Sequence, residues 1–166
     1  MRILGVDPGL RVTGYGVVEV PEGWGGSSSQ MRILDAGIVN AKVRENISER
    51  LRKIYQSLTD VIEEFKPDVI VIEKLYAHYA HPATAILMGH ARGVVCLLSG
   101  VHRLPLVSMA STHVKKAVTG RGHAGKLQVQ RMIQHEFSLK KLPEPPDVAD
   151  ALAVALAYLA TVRKKK

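Results

Sequence analysis

The spacing of hydrophobic residues changes several times along this chain, and each change marks an element. Ile3-Leu4-Gly5-Val6 is a short, near-continuous apolar run closed by Asp7, the pattern of a strand buried on both faces. Pro8-Gly9 turns the chain, and residues 13–20 (Thr-Gly-Tyr-Gly-Val-Val-Glu-Val) predict a second strand. Residues 32–39 predict a third, and the short connections make the three an antiparallel meander. Residues 21–30 lie between, with Gly-Gly-Ser-Ser-Ser, the composition of a flexible loop. The period then lengthens. Ile47, Leu51, Ile54, Leu58, Val61 and Phe65 step by four and three residues and form one apolar stripe on a charged helix. Asn46, followed three residues later by Glu49, reads as a capping box, and Pro67 ends the helix. Residues 68–73 (Asp-Val-Ile-Val-Ile-Glu) repeat the opening design, a buried strand ending in an acid. Strand, helix and strand in that order predict a parallel crossover.

A helix over 82–99 carries Ala85, Gly89 and Gly93 four apart. Small residues at that spacing admit another helix, from the same chain or from a second copy. A short strand at 105–107, a helix at 111–118, a loop at 119–125 and a helix at 126–137 follow. The last helix starts at Pro145-Pro146, since proline suits the first turn of a helix and not its interior. It is apolar almost all round, as a helix in the middle of a domain is. Its first turn nevertheless carries Asp147 and Asp150, whose three-residue spacing places them on one face, Cβ atoms roughly 5–6 Å apart. Acids there can cap the helix and suit its dipole, or they can serve a site. With no internal repeat, the pattern predicts a single domain over 1–162 and a frayed basic tail at 163–166.

Composition sharpens the second possibility. The 166 residues include 23 Lys and Arg against 15 Asp and Glu, a net charge of +8 that favours polyanions, nucleic acid first. The single cysteine, Cys96, excludes an internal disulfide and reads as a small buried hydrophobe, in keeping with a reducing compartment. No apolar run reaches the roughly 18 residues of a membrane span, so a cytoplasmic location without membrane contact is expected. Within this basic chain, Asp7 and Glu73 end parallel strands, on the rim where open α/β sheets bind ligands. If the last helix starts beside that rim, four carboxylates converge. They would raise one another's pKa unless divalent cations neutralised them. All-oxygen ligands select hard ions, Mg²⁺ or Mn²⁺. Two ions about 3.5–4 Å apart would activate a water and stabilise the leaving oxygen of a phosphodiester.

Asp7-Pro8-Gly9 with Thr13-Gly14-Tyr15-Gly16, Val71-Ile72-Glu73, and Asp147-Val148-Ala149-Asp150-Ala151-Leu152-Ala153 resemble the RuvC family of Holliday-junction resolvases, in order and over nearly the whole chain. The resemblance implies a ribonuclease-H-like α/β fold, a five-stranded mixed sheet flanked by helices on both faces. It implies a homodimer that nicks two strands of a four-way DNA junction symmetrically, in recombination and repair, leaving 5′-phosphate and 3′-hydroxyl ends. Carried over, Asp7, Glu73, Asp147 and Asp150 are the catalytic metal-binding acids, for two Mg²⁺ per subunit with Mn²⁺ as substitute. Lys126 joins the catalytic set, and Lys115, Lys116 and Arg121 meet DNA. Leu75 and Tyr76 fall at the junction centre, with Tyr76 where relatives commonly have phenylalanine. Cooperation with a branch-migration complex is implied by the family alone.

Three other readings compete. Gly120-Arg121-Gly122-His123-Ala124-Gly125-Lys126 has the spacing of a P-loop, but Leu127 stands where Ser or Thr would hold Mg²⁺, and a helix precedes it. Asp7-Pro8-Gly9 also occurs in actin-like ATPases, which need two domains around the nucleotide. A nonenzymatic junction-binding module would satisfy the charge and leave the four acids unexplained. His78 and His81 read as surface loop residues, and no zinc is expected.

Overall fold

Alternation along the strands divides the core into two layers, one on each side of a central sheet. The computed structural model describes residues 1–41, 45–75 and 82–163, the side chains of 82 and 83 excepted. Its strands are β1 (Arg2–Asp7), β2 (Val12–Glu19), β3 (Arg32–Asn40), β4 (Val69–Glu73) and β5 (Leu106–Met109), in the order β3-β2-β1-β4-β5. The β1–β2 and β2–β3 pairs are antiparallel, while β1–β4 and β4–β5 are parallel. Meander and crossover are as the sequence predicts. The helices are α1 (Ile47–Phe65), α2 (Pro82–Val101), α3 (Ser111–Thr119), α4 (Lys126–Glu136) and α5 (Pro146–Arg163).

Ile3, Val69 and Val71 point into a cluster with α3, α4 and α5. Leu4, Val6, Ile70 and Ile72, one residue out of phase, pack with α1 and α2. Helices therefore cover both faces of a five-stranded mixed sheet, which is why β1 and β4 are apolar at successive positions. Helix α5 lies tightly on β1 and β2 because glycine lies beneath it. A Cβ added to Gly5 would stand 2.2 Å from the Ala151 carbonyl oxygen, and one on Gly14 would stand 2.1 Å from that of Asp147.

Several expectations are corrected. The Asn46 side chain caps α1 by accepting from the Glu49 amide at 2.9 Å, but the Glu49 carboxylate accepts from Arg52 at 2.8 Å instead of closing the box. Loop 21–30 is tied down despite its composition: Trp24 Nε1 donates to the Ser27 carbonyl and Ser28 Oγ donates to Glu136, 2.9 and 2.6 Å. Arg163 is no tail residue; α5 runs through it and its guanidinium packs on Gly26. Residues 164–166 lie outside the described residues.

Cys96 is exposed, contrary to its apolar surroundings in sequence. Helix α2 buries Ala91, Val95 and Leu98 against the sheet side and turns an equally apolar face outward, where Ile86, Leu97 and Val101 are 61%, 55% and 54% exposed. For the same reason residues Thr84–Val101 are long and apolar enough to cross a membrane by length and composition, although His90 and Arg92 interrupt the apolar run. Arg92 within it donates to the Glu73 carbonyl and to Ser108 Oγ, both at 2.7 Å, binding α2 to the sheet.

Candidate active site

Strand parity decides where the acids point. Asp7 has the parity of Ile3 and Gly5, and Glu73 that of Val69 and Val71, so both leave the sheet on the α5 side. The parallel register pairs Val6 with Ile72, which sets Asp7 beside Glu73 at the carboxyl rim. Asp7 is also the register partner of Gly14, and the Asp147 backbone rests on Gly14. The start of α5 is thereby held against the same rim. Thr13, fully buried, donates from Oγ1 to the Gly9 carbonyl at 2.7 Å and holds the turn that follows Asp7. Asp150, one helical turn into α5, lies 3.9 Å from Lys126 Nζ at the start of α4.

The electrostatics show that these groups share one site. Burial, then the charges of Asp150, Glu73 and Asp147, push the Asp7 carboxyl up from 3.8 to about 7, against the pull of Lys126. Glu73 is raised by burial first; a hydrogen bond from Ser111 and the charges of Lys115 and Lys126 oppose this, while Asp150 adds to it. Asp150 is raised by burial, with Lys126 and Lys115 pulling it down and Asp147 pushing it up. The four acids predicted from strand ends and helix start are thus brought together, with Lys126 and Lys115 as their counter-charges.

Among the described residues, no group of three or more His, Cys, Asp or Glu is gathered closely enough to hold an ion as the side chains stand. The donor chemistry nonetheless fits a hard cation: four carboxylates, no soft ligand, and one carboxyl driven towards neutrality by burial and by its neighbours.

A pH effect follows, and its sign is definite. The folded chain holds the Asp7 proton up to about pH 7, whereas the unfolded chain releases it near 3.8. The unfolded state therefore binds fewer protons across that window, and the contribution of Asp7 to stability falls as pH rises through it. In EDTA, the Asp7→Asn variant should gain Tm over wild type at pH 7.5 and lose most of that advantage at pH 5. Addition of Mg²⁺ at pH 7.5 should raise the Tm of wild type more than that of the variant. Calorimetric scans at the two pH values check this; an equal difference at both would show that burial and the neighbouring charges do not raise the Asp7 carboxyl.

Of the remaining predicted residues that the structure describes, Leu75 borders the acids and the others do not. Lys116 is exposed on α3, and Arg121 is exposed in the loop after it, lining a cavity of about 400 Å³ with Thr119, Gln128 and Arg131. Leu75, 37% exposed, lines a small recess of about 70 Å³ with Asp7, Glu73, Met88 and Arg92. Tyr76, His78 and His81 lie outside the described residues. The supposed P-loop follows a helix, α3, whose cap Gly120 is left-handed at φ 76°, so no strand delivers it to a phosphate. Two supporting residues escaped the sequence reading. Ser111 reaches Glu73 from the first position of α3, and the trace of it was a serine just after a short strand, where helices begin. Arg92 was visible as the lone arginine in an apolar helix.

Fold and site together define a class, an α/β nuclease of ribonuclease-H-like build whose acids sit at the carboxyl rim of a mixed sheet. The comparisons with known proteins narrow it. The family model for the crossover junction endodeoxyribonuclease RuvC matches residues 3–158. RuvC of Rhodopirellula baltica is 42% identical over 160 residues, covering 95% of this chain and 86% of that one. RuvC of Pseudothermotoga lettingae is 41% identical over 160 residues, covering 96% and 94%. The structure of Thermus thermophilus RuvC in complex with a Holliday junction substrate superposes with a TM-score of 0.88 at 30% identity, covering 99% of this chain and 96% of that one. The yeast mitochondrial Holliday junction resolvase Ydc2 shares the fold, with a TM-score of 0.67 at 14% identity over 98% of this chain and 80% of its own. This chain belongs to the RuvC family of crossover junction endodeoxyribonucleases.

Proposed function

We propose that this chain resolves four-way DNA junctions in recombination and repair by paired, symmetrical hydrolysis of two strands. The observation that carries the reading is the Asp7 carboxyl, buried at the rim and raised to about 7 with three other carboxylates acting on it, in a chain of net charge +8. A purely binding module has no use for such a cluster, since carboxylates repel the phosphates that its lysines attract.

Asp7, Glu73, Asp147 and Asp150 would hold two Mg²⁺ ions, or Mn²⁺ in their place, with Asp7 shared between them. When bound, such ions polarise the scissile phosphate, lower the pKa of the attacking water and neutralise the leaving oxygen. The chain's own residues do the rest. Gly14 seats Asp147, and the Ser111 hydrogen bond orients Glu73. Lys126, beside Asp150 and largely exposed, faces the incoming phosphate with a positive charge, and Lys115 adds its own charge to the same acids. Water adds to phosphorus and the 3′ oxygen departs, leaving a 5′-phosphate and a 3′-hydroxyl. Lys116 and Arg121 extend the basic surface to the junction arms, and Leu75 with Tyr76 meets the bases at the crossover, where an aromatic ring can stack.

Symmetrical cutting calls for two sites, hence a homodimer. The outward face of α2 suits the seam: Ile86, Leu97 and Val101 are exposed, and among the described residues nothing beyond its chain neighbours and its own helix backbone lies within 4 Å of a Cβ built on Gly93. Leu97→Glu should convert a dimer into a monomer in sedimentation velocity and replace paired nicks with single ones. A dimer that survives this charge would move the seam elsewhere. The chain is read as one domain over 1–162, acting in the cytoplasm beside a branch-migration complex, as in its family. Incubating a labelled four-way junction with the protein and Mg²⁺, without nucleotide, tests the whole reading. Paired nicks at symmetry-related positions are expected, and an intact junction would overturn it.

A further inference from the structure

A cavity of about 670 Å³ opens between the turn after β1 and the first turns of α1 and α2. Its lining brings together Asp7 and Asp147, Leu87 and Met88, and Arg11 and Arg50. Arg50 is unusual. It stands four residues before the fully buried Ile54, on the stripe that α1 turns to the core. Its Nε and Nη2 are shut off from solvent and find no acceptor among the described residues. A guanidinium remains charged at every physiological pH, so its unused donors are costly to keep. The acids nearby do not account for it, because the cation that acts on Asp7 is Lys126.

The chemistry of the missing partner can be read from its neighbours. Asp7 and Asp147 mark the place of the scissile phosphate. Along one DNA strand, backbone charges recur about every 3.4 Å of helix axis, so a flanking phosphate must pass next to that place. An anion there would meet Asp7 and Asp147, with Lys126 held beside Asp150, unless a further cation were set into the same cavity. The planar fork of a guanidinium fits two non-bridging phosphate oxygens, and since Nε and Nη2 are shut off from solvent as the side chain stands, Arg50 must turn towards the cavity to present them. We propose that Arg50, with Arg11 at the rim, forms a subsite for the backbone phosphate adjacent to the cut, on the cleaved strand. This rests on the nuclease reading above and adds to it a residue that sets the register of the strand over the acids.

The test is a double-mutant cycle between protein and DNA. Junctions carrying one neutral methylphosphonate, placed in turn at each phosphate within three nucleotides of the cut, are titrated with the full chain bearing Asp7→Asn to prevent cutting. Arg50→Met is then added to that chain. Loss of one charge-assisted contact should weaken binding of the unmodified junction roughly 10- to 100-fold. It should also reduce the slope of log affinity against log salt by about one. At one flanking position the methylphosphonate should weaken the Arg50 protein by the same factor and leave Arg50→Met unaffected. Multiplicative losses at every position, or an unchanged salt slope, overturn the subsite. Arg50→Lys goes through the same cycle should the methionine variant not melt cooperatively. The parent chain with Asp7 intact is run on the unmodified junction in Mg²⁺. Its failure to nick would count against the function, whereas additivity alone counts only against Arg50.

Discussion

Asp7→Asn should bind a four-way junction about as well as wild type and cut it at least about a thousandfold more slowly. The substitution is nearly isosteric, so the turn held by Thr13 and the packing beneath α5 survive. What disappears is the charge at the centre of the cluster, the carboxylate upon which Asp150, Glu73 and Asp147 all act. Removing one preorganised group that stabilises a transition state commonly costs 10²–10³-fold, and Asp7 would serve two ions at once, hence an expectation at about the upper end of that range or beyond it. Binding should hold or improve because the variant removes a negative charge from a surface that meets phosphates. Single-turnover cleavage in Mg²⁺ and titration of binding with a labelled junction measure the two separately. Cleavage within tenfold of wild type would remove Asp7 from the chemistry.

Gly14→Ala should lose catalysis out of proportion to stability. A Cβ at this position would stand 2.1 Å from the Asp147 carbonyl oxygen and 2.6 Å from its carbon, backbone that cannot rotate away. The start of α5 must lift. Overpacking of this kind costs about 1–3 kcal/mol, or roughly 2–12 °C in Tm for a chain of this size. Displacement of a reacting group by about 1 Å can cost about 10²-fold in rate, and the group displaced here is Asp147. Gly5→Ala supplies the control. Its Cβ would meet the Ala151 carbonyl oxygen at 2.2 Å, a comparable clash one turn further along α5. Both variants should lose similar Tm, and Gly14→Ala should lose more cleavage at a temperature where each is folded. Equal losses of rate would mean that Gly14 matters only for packing.

Much of the fold was legible because strands and helices in this chain carry unmixed patterns. The apolar runs of β1 and β4 ended where the sheet ends, and the stripe from Ile47 to Phe65 became α1 with the predicted bounds. The acids were legible for a related reason, since a charge closing a buried strand, or opening a buried helix, has few ordinary explanations. Cys96 shows where this logic stops. A helix apolar on every side does not say which side is covered, and α2 leaves Cys96, Leu97 and Val101 outside. Arg50 shows the converse: a charged residue in a helical stripe reads as solvated until the fold closes around two of its nitrogens.

The order of residues by itself therefore determined the elements, the alternation that gives the sheet two buried faces, and the four carboxylates at element ends. Local sterics and the exclusion of apolar groups from water act within a few residues, so their record is in the chain. Only the tertiary structure decided that Asp147 lies on Gly14, that Lys126 stands 3.9 Å from Asp150, and that Ser111 reaches Glu73. Those contacts join segments far apart in sequence. They depend on where α4 and α5 come to rest on the sheet, which is set by the packing of both core layers together. The raised carboxyl of Asp7 is the sum of such placements, burial first and three neighbouring charges after it.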